Sequence, residues 1–415
     1  MFDLETWQEI GSSLWQHKFR TSLMSILVGW GIFMLVFLLG AGKGLENGVM
    51  QNFEGLANNS MFLWSWKTSM PYNGLPPGRR IELDIDDINL LKSKVEGVEY
   101  ITPRLGFWGI IISRGKKNGS YNLQGVNQDF SHIQNFNIVE GRMINKKDID
   151  EKRKVVVIGK LIADNLFEGE NPIGQYVNIK GAYFNVVGVF KSVSMGEQAK
   201  DDEETIYSSY TALQQTFNMS NKAGTIILTM KEGYDADEIE ESARKVLNIK
   251  HKIHPDDDMA VGSWNTQSEF KMFQGLFLGI NGFVLFASLG TILAGVIAIS
   301  VIMLITVKER TKEIGVRKAL GATPWSVVSL VTQEALVITS ISGFFGLIAG
   351  MLLIQTFADA LVSMGIEIEY FANPEVDVSV AVTALIIFIF AGFIAGLIPA
   401  IIASKIKPIE ALRTE

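Results

Sequence analysis

The residues best suited to chemistry are two histidines and an acidic run late in the chain, and they form no recognisable site. His251 and His254 precede the run 256–258, which consists of three aspartates. Imidazole and carboxylate groups bind divalent cations, but this spacing matches no established metal-binding loop. Acidic runs are typical of solvated turns. The sequence therefore predicts no metal site and, since it contains no H-E-x-x-H run, no zinc-dependent hydrolase.

Nucleotide hydrolysis by this chain is not expected either. A phosphate-binding loop of the Walker type places Ser or Thr directly after a Gly-Lys pair. The three Gly-Lys pairs, which begin at Gly42, Gly115 and Gly159, are each followed by another residue type. The sequence thus offers no catalytic residues.

The amino-acid composition excludes further classes of function. The chain has 415 residues, a net charge of −7 and no cysteine, so disulfides and thiolate metal sites are excluded. No basic patch interleaved with aromatic residues occurs outside the flanks of the apolar stretches, and nucleic-acid binding has no support.

Four stretches of the chain contain no Asp, Glu, Lys or Arg, namely 21–42, 272–307, 335–358 and 378–404. About 20 mainly apolar residues in a helix cross the hydrocarbon core of a bilayer. We therefore predict an α-helical four-span membrane domain in contact with lipid. A long segment of ordinary globular composition separates the first and second spans, and we expect it to form one folded domain.

Basic residues indicate which side of the membrane each connection occupies, because retained cytoplasmic loops are enriched in Lys and Arg. Basic residues lie before the first span, after the second span and after the fourth span. The loop before the fourth span contains Asp and Glu but no Lys or Arg. Both termini are therefore predicted to be cytoplasmic and the large domain extracytoplasmic. The predicted order is a cytoplasmic amphipathic helix (1–20), first span (21–42), extracytoplasmic core domain (43–263), stalk helix (264–282), second span (283–307), cytoplasmic coupling segment (308–323), third span (324–357), extracytoplasmic loop (358–377), fourth span (378–404) and cytoplasmic tail (405–415).

The large domain is predicted to be of the α+β class. Its expected elements are strands over 61–66, 100–112 and 225–230, helices over 85–95 and 235–248, and a β-rich stretch over 155–190. Asp84 is the expected N-cap of the first of these helices. We interpret this order as two βαβ halves with a β-rich lobe inserted between them.

The second charge-free stretch is too long for one bilayer. Its roughly 36 residues would extend about 54 Å as a helix, against about 30 Å of hydrocarbon. Phe270, Phe273 and Phe277 recur at helical spacing, which favours a stalk packed against another helix. The alternative is a break at Gly279, Asn281 and Gly282, because glycine is unfavourable inside helices.

The third and fourth spans carry two further features. The pairs Gly346 with Gly350 and Gly392 with Gly396 follow the small-xxx-small pattern that permits close helix contact in lipid, within one chain or across a dimer. Glu334 lies inside the third predicted span, where ionisable residues are functional candidates. An interfacial position without a functional role is the other interpretation of Glu334.

The cytoplasmic segment after the second span has the pattern helix, tight turn, helix. Glu309, Lys312 and Glu313 suit exposed helical ion pairs, and Gly321 suits the left-handed residue that ends a helix. Thr323 and Pro324 suit the N-cap and first position of the next helix. Such an element is either a simple loop or a contact site for a cytosolic protein.

These residues carry a family resemblance. The run KERTKEIGVRKALGAT (308–323) resembles the signature after the second span of FtsX-like and MacB-type ABC transporter permeases, of the mechanotransmission type (type VII). The final run KPIEALRTE resembles the C-terminus of that family, and VVVIGKLIADNLF, PIGQYVNIKG and FNVVGVF (within 155–190) are similar to its MacB-like periplasmic core domain. The resemblance covers essentially the whole chain.

The resemblance implies a bacterial inner-membrane permease that works as a homodimer or heterodimer with a separate ABC ATPase subunit. ATP and Mg²⁺ would be bound by that ATPase and no cofactor by this chain, because the attached ATPase domain of the macrolide-exporter form is missing. The stalk would transmit ATP-driven motion to the outer domain. By this analogy the ATPase contacts are Lys308, Glu309, Arg310, Glu313, Ile314, Gly315, Arg317, Lys318, Ala319, Leu320 and Gly321.

The expected function is export of an amphipathic or lipidic cargo, such as a macrolide or a peptide, in a tripartite efflux system. A periplasmic adaptor and an outer-membrane channel would complete that system. Two alternatives share the same machinery: lipoprotein release from the inner membrane, and mechanical regulation of cell-wall hydrolases without cargo.

Overall fold

The structure, a computed structural model, describes residues 11–12, 15, 18–54, 57–194, 196–364, 368, 371–408 and 411. Most of the helix predicted over 1–20 lies outside the described residues. The described helices are α1 (Lys18–Glu54), α2 (Ile85–Lys94), α3 (Lys146–Asp150), α4 (Lys160–Phe167), α5 (Gly196–Glu203), α6 (Tyr210–Thr216), α7 (Ala236–His251), α8 (Thr266–Glu309), α9 (Thr311–Ala319), α10 (Pro324–Met364) and α11 (Val378–Ser404). The strands are β1 (Ser60–Ser65), β2 (Val98–Arg114), β3 (Lys117–Val126), β4 (Phe136–Gly141), β5 (Val155–Gly159), β6 (Tyr176–Ile179), β7 (Ala182–Ser192), β8 (Thr205–Ser209), β9 (Thr225–Met230) and β10 (Val261–Asn265).

Four described helices are long and apolar enough to cross a membrane, and they contain the four charge-free stretches. The apolar ranges are Thr21–Gln51, Thr266–Glu309, Pro324–Leu361 and Val378–Ser404. A mixed α and β domain lies in the chain between the first two. Four membrane helices and an outer domain of mixed composition are therefore confirmed at this level of detail.

The structure excludes one alternative and corrects two predicted boundaries. Helix α8 is continuous from Thr266 to Glu309, so the alternative of a break near Gly279 is wrong. The stalk begins at Thr266 and not at 264, because residues 264–265 belong to β10. Residues 358–364 continue helix α10, although they were predicted to form a loop. In each case the apolar pattern predicted the helix correctly, whereas its ends depend on the backbone hydrogen bonds and therefore differ by a few residues.

Glycines bring the membrane helices into contact within one chain. A Cβ on Gly346 would lie 2.3 Å from the carbonyl oxygen of Gly29, so α10 and α1 touch backbone to backbone. A Cβ on Gly396 would lie 2.6 Å from that of Ala335, where α11 meets α10. Such contacts supply the van der Waals packing that holds helices together in lipid. Both small-residue pairs found in the sequence are therefore used inside the protomer.

The chain divides into two compact units. One unit comprises Met1–Asn47, Leu276–Glu367 and Phe371–Glu415, and contains the helix packing just described. The other comprises Gly48–Gly275 with Ile368–Tyr370, and we refer to it as the outer domain.

The outer domain is organised by one ten-stranded sheet. Its order is β10-β1-β9-β2-β3-β8-β5-β7-β4, with β6 paired to β2 and β7. Strands β1 and β2 are separated by β9, which is antiparallel to both, and β9 and β10 are separated by β1. The two predicted halves therefore interleave their strands. Helices α2 and α7 cover one face through a core that includes Leu63, Leu91, Leu228, Ala243 and Leu247.

The predicted β-rich insert continues the same sheet. The long strand β2 pairs with β9 in its first part and with β3 and β6 in its second part. Helix α4 packs on this region through Ile162, Leu166 and Phe167. A single strand thus joins the two parts of the domain.

Asp87 is a fully buried carboxylate that connects α2 to α7. It accepts hydrogen bonds from the backbone amide of Asp84, at 2.8 Å, and from the Nε2 atom of His251, at 2.9 Å. The Nζ atom of Lys250 lies 2.8 Å away. The reciprocal bond from the Asp87 amide to the Asp84 side chain completes a capping box, as predicted for an N-cap at Asp84. Burial alone would raise the pKa of Asp87, but the hydrogen bonds from His251 and Lys250 outweigh it and hold the pKa below its ordinary value.

We predict that Asp87→Asn destabilises the outer domain by about 2 kcal/mol at pH 7, because charge-assisted hydrogen bonds are lost. A lowered folded-state pKa means that the ionised carboxylate stabilises the fold. This contribution is complete above the ordinary pKa of 3.8 and is lost as the pH falls through the folded-state pKa. Chemical unfolding of the full chain, followed by tryptophan fluorescence from pH 7 down to acid, measures the difference between variant and wild type.

The matched control is Asp86→Asn. Asp86 is the exposed neighbour in the same helical turn, so its substitution should change stability by less than about 0.5 kcal/mol. An Asp87→Asn difference that stayed constant down to the most acidic pH would contradict the assigned role of the carboxylate.

Candidate functional site

The candidate site is the predicted coupling segment (308–323), which the structure resolves into a short helix between two long ones. Helix α8 ends at Glu309, α9 runs from Thr311 to Ala319, and Gly321 turns the chain with a φ of +102°. The Thr323 hydroxyl then accepts a hydrogen bond from the amide of Ser326, at 3.3 Å. Positive φ favours glycine and a threonine N-cap starts the next helix, as the sequence predicts.

Arg310 ties this segment to α10. Its guanidinium Nη1 lies 3.4 Å from the Oε2 atom of Glu334, which is only 7% exposed, and its Nε lies 3.8 Å from Glu313. A nearly buried carboxylate is costly unless it is paired. Glu334 therefore has a defined partner in the segment that precedes α9, which the sequence did not reveal.

Lys318 ties α9 to the end of α11. Its Nζ donates hydrogen bonds to the carbonyl oxygens of Ser404, at 2.8 Å, and Ile406, at 2.6 Å. The last carbonyls of a helix lack intrahelical donors and carry partial negative charge, so a lysine is well suited to this place. The amine caps the fourth span from a neighbouring helix.

Gly315 and Ile314 form the buried side of α9. A Cβ on Gly315 would lie 2.5 Å from the Cβ of Ala411, so only glycine allows this approach. Ile314 and Ala411 are both buried. The glycine in the signature is thus explained by close packing on the C-terminal segment.

The opposite side of the segment is exposed and partly apolar. Val316 and Leu320 are one helical turn apart, and Trp325 follows at the start of α10; Leu320 is 85% exposed. We call Val316, Leu320 and Trp325 the exposed patch. Grouped exposed apolar residues mark interaction sites more often than isolated ones do.

The predicted contact residues therefore separate into two groups. Arg310, Ile314, Gly315 and Lys318 make contacts within the chain, whereas Lys308, Glu309, Glu313, Ala319, Leu320 and Gly321 are exposed. Arg317 is half-buried and pairs with Glu313 at 3.0 Å. The charge pattern did not reveal Val316 or Trp325, although the place of Val316 one helical turn before Leu320 was readable from the spacing.

A groove of about 510 Å³ separates α9 from the start of α10. Arg310, Glu313, Arg317 and Glu334 contribute its charged wall, and Leu330 lies on its apolar side. The exposed patch borders this groove at Leu320. The segment thus offers both a projecting apolar contact and an adjacent recess.

The other predicted residues lie elsewhere. Phe277 is buried, whereas Phe270 and Phe273 are half-buried, and the packing of the stalk on another helix stays a prediction. His251 bonds to Asp87, and Asp257 accepts from the amide and hydroxyl of Ser69, both at 2.7 Å. Within the described ranges, no group of three or more His, Asp or Glu side chains is arranged to hold a metal ion.

Two family models match the chain. A model of the MacB-like periplasmic core domain matches residues 21–246, more than half of the chain, and a model of the FtsX-like permease C-terminal region matches residues 285–408. The second match contains the whole of α9 together with Arg310, Glu334, Ser404 and Ile406, whereas Ala411 lies beyond it.

Curated relatives align over nearly the full chain. The macrolide export ATP-binding/permease protein MacB of Mannheimia succiniciproducens is 26% identical over 417 residues, which cover 99% of this chain and 61% of that protein. The pyoverdine export ATP-binding/permease protein PvdT of Pseudomonas entomophila is 25% identical over 413 residues, with 99% and 60% covered. This chain spans about three-fifths of the length of these relatives.

Two solved structures of extracytoplasmic regions are similar to about half of this chain. The periplasmic region of MacB from Actinobacillus actinomycetemcomitans is 23% identical with a TM-score of 0.44, and covers 55% of this chain and 97% of that one. The extracellular domain of the noncanonic ABC-type transporter YknZ from Gram-positive bacteria is 20% identical with a TM-score of 0.42, and covers 50% and 100%.

We predict that Arg310 and Glu334 are energetically coupled. Arg310→Gln should destabilise the membrane unit by about 2 kcal/mol, because the nearly buried Glu334 then loses this ion pair. Adding Glu334→Gln should recover at least half of that loss. A double-mutant cycle on the full chain, measured by reversible unfolding in mixed micelles, gives the coupling energy.

Glu313→Gln is the matched control for this cycle. Glu313 is the more exposed and more distant carboxylate beside Arg310, and exposed pairs contribute little. A coupling energy near zero between Arg310 and Glu334 would show that their proximity does not stabilise the segment.

Proposed function

Since this chain belongs to the family of permeases with a MacB-like periplasmic core domain and an FtsX-like C-terminal region, we propose that it is the permease subunit of an ABC exporter. In this proposal ATP binding and hydrolysis occur on a separate ATPase subunit that carries ATP and Mg²⁺. Two permease chains, identical or different, work with two ATPase subunits, and motion of the ATPases moves the permease.

The observation that carries this proposal is the two-sided character of α9. One side is fixed to α10 through Arg310 and to the end of α11 and the C-terminal segment through Lys318 and Gly315, and the other presents Val316 and Leu320 of the exposed patch to the solvent. A helix fixed in this way moves together with α10 and α11. A cytosolic ATPase bound to the exposed patch would therefore displace two spans rather than one flexible loop.

The orientation follows from the same arrangement. An ATPase is cytosolic, so α9 and both termini lie in the cytoplasm and the outer domain lies across the membrane. The distribution of Lys and Arg in the short flanks supports this orientation. The membrane is the bacterial inner membrane, in keeping with the relatives that have periplasmic domains.

The proposed cargo is amphipathic or lipidic. The relatives are named for macrolide and pyoverdine export, and the spans of this chain contain no series of acidic or histidine residues of the kind that relays protons. We propose that cargo is handled by the outer domain, together with a periplasmic adaptor and an outer-membrane channel. Glu334 acts in this proposal as a positioning residue for the coupling segment.

We predict that Leu320→Asp separates the permease from its ATPase. A carboxylate in an apolar contact would have to be desolvated without a partner, so the amount of co-purified ATPase should fall by about tenfold or more. The experiment purifies the tagged full chain from membranes of the encoding organism and quantifies Walker-containing proteins by mass spectrometry.

The matched control is Ile249→Asp on helix α7 of the outer domain. Ile249 is 81% exposed, nearly as exposed as Leu320, and should leave ATPase recovery unchanged. Recovery of no ATPase with the wild-type chain, or undiminished recovery with Leu320→Asp, would overturn the proposed docking. A cell-wall hydrolase recovered in place of an adaptor would favour the regulatory alternative.

A further inference from the structure

The outer domain contains a cleft of about 960 Å³ on the sheet face opposite α2 and α7. Strands β1, β2, β3, β8 and β10 contribute side chains to it. Its volume is at the upper end of the range found for small-molecule sites, which extends from about 300 to 1,000 Å³. The cleft lies entirely within one compact unit and involves no residue of the coupling segment.

Three tryptophans form an aromatic wall of the cleft. Trp64 and Trp264 lie on the adjacent strands β1 and β10, and Trp108 lies on β2; Trp108 is 64% exposed. A Cβ on Gly262 would lie 2.4 Å from the indole Nε1 of Trp64, so the glycine opposite Trp64 makes room for the ring to lie across β10. Three tryptophans kept accessible around one cavity offer large flat apolar surfaces.

Polar groups line the floor beside this wall. Gln124 on β3 pairs with Gly106 of β2 and with Tyr207 of β8. Its partner Gly106 lies two residues after Arg104 on β2. Within the described part of the chain, the Nε of Arg104 and the side-chain oxygen of Gln124 are buried without a hydrogen-bond partner. Gln124 is only 2% exposed. Unsatisfied buried polar groups are costly, and two of them line the same cavity.

The charge of Arg104 is not neutralised by a direct ion pair with any described residue. Burial lowers the pKa of Arg104 from its ordinary value, but arginine remains protonated in proteins. Asp202 also lines the cleft and attracts Arg104 electrostatically without a direct ion pair, while it accepts hydrogen bonds from the neutral side chains of Ser192 and Gln198. Glu82 pairs with Lys222 at 2.9 Å. The guanidinium of Arg104 therefore has no directly hydrogen-bonded anion among the described residues, which leaves its donors available to a bound oxyanion.

We propose that this cleft binds a small amphipathic anion, with its carboxylate, sulfonate or phosphate group beside Arg104 and Gln124 and its flat apolar body on the tryptophan wall. The planar guanidinium of arginine can donate two parallel hydrogen bonds to two oxygens of an oxyanion. That of Arg104 lies 5.6 Å from the ring centre of Trp108, so charge and aromatic surface are adjacent. The site is a property of this chain alone. It does not depend on an ATPase, an adaptor or the proposed export function.

The test uses a matched pair of fluorescent probes and the full chain. Anilinonaphthalene sulfonate carries an anionic group on an aromatic body, and phenylnaphthylamine has the same ring system without the sulfonate. The protein is held in nanodiscs that contain phosphatidylglycerol, because an anionic bilayer repels the anionic probe. Empty nanodiscs give the background for each probe.

The expected result is saturable binding of the sulfonate probe to the wild type. Arg104→Gln should weaken that binding by about tenfold or more, because a hydrogen bond to a charged group is lost, and should change binding of the neutral probe by less than about twofold. Arg104→Lys, which keeps the charge, should bind the sulfonate more tightly than Arg104→Gln does. Trp108→Ala should weaken binding of both probes.

Two controls lie outside the cleft lining. Trp66→Ala removes an exposed tryptophan of the same domain, and Arg153→Gln removes an arginine that pairs with Glu151. Neither should change binding of either probe. Absence of saturable sulfonate binding to the wild type, or equal binding by Arg104→Gln and the wild type, would overturn the proposal. Either result would leave the ATPase experiment on Leu320 unaffected.

Discussion

Close packing of small residues between the membrane helices is the constraint on which the membrane unit depends. In lipid there is no hydrophobic force that drives apolar helices together, so association requires short van der Waals contacts. Gly29 and Gly346 allow the backbones of α1 and α10 to meet, and Ala335 and Gly396 do the same for α10 and α11. Helix α10 thereby contacts both of its neighbours through surfaces that no larger side chain could occupy.

The coupling segment depends on that packing, because its internal contacts end on a helix of the bundle or on the C-terminal segment that follows α11. Arg310 reaches Glu334 on α10, and Lys318 reaches the carbonyls that follow α11. Gly315 repeats the principle of the bundle, since it allows α9 to touch Ala411 without an intervening side chain. The exposed patch is consequently presented on a fixed support. This combination is what a permease driven by an external ATPase would require.

The outer domain is stabilised differently, because it has the hydrophobic core of a domain that folds in water. Helices α2 and α7 bury one face of the neighbouring strands β10, β1, β9 and β2. The network of Asp87, His251 and Lys250 joins the two helices. Part of the opposite face lines the tryptophan-lined cleft, and another part packs into a second hydrophobic cluster. Because β2 extends from one part of the sheet into the other, the aromatic wall and the polar floor are held by continuous hydrogen-bonded strands.

The sequence alone determined the spans, the order of domains, the N-cap at Asp84 and the turn at Gly321, because these follow from local composition, periodicity and backbone geometry. It did not determine the interleaving of β1 and β9, the continuity of α8, or whether Gly346 and Gly396 pack inside one protomer. Nor did it reveal the partners of Glu334 or bring Arg104 and Gln124 to one cleft. These features arise from contacts between residues far apart in the chain, and the free energy of such contacts depends on which surfaces meet. Only the tertiary structure decides that.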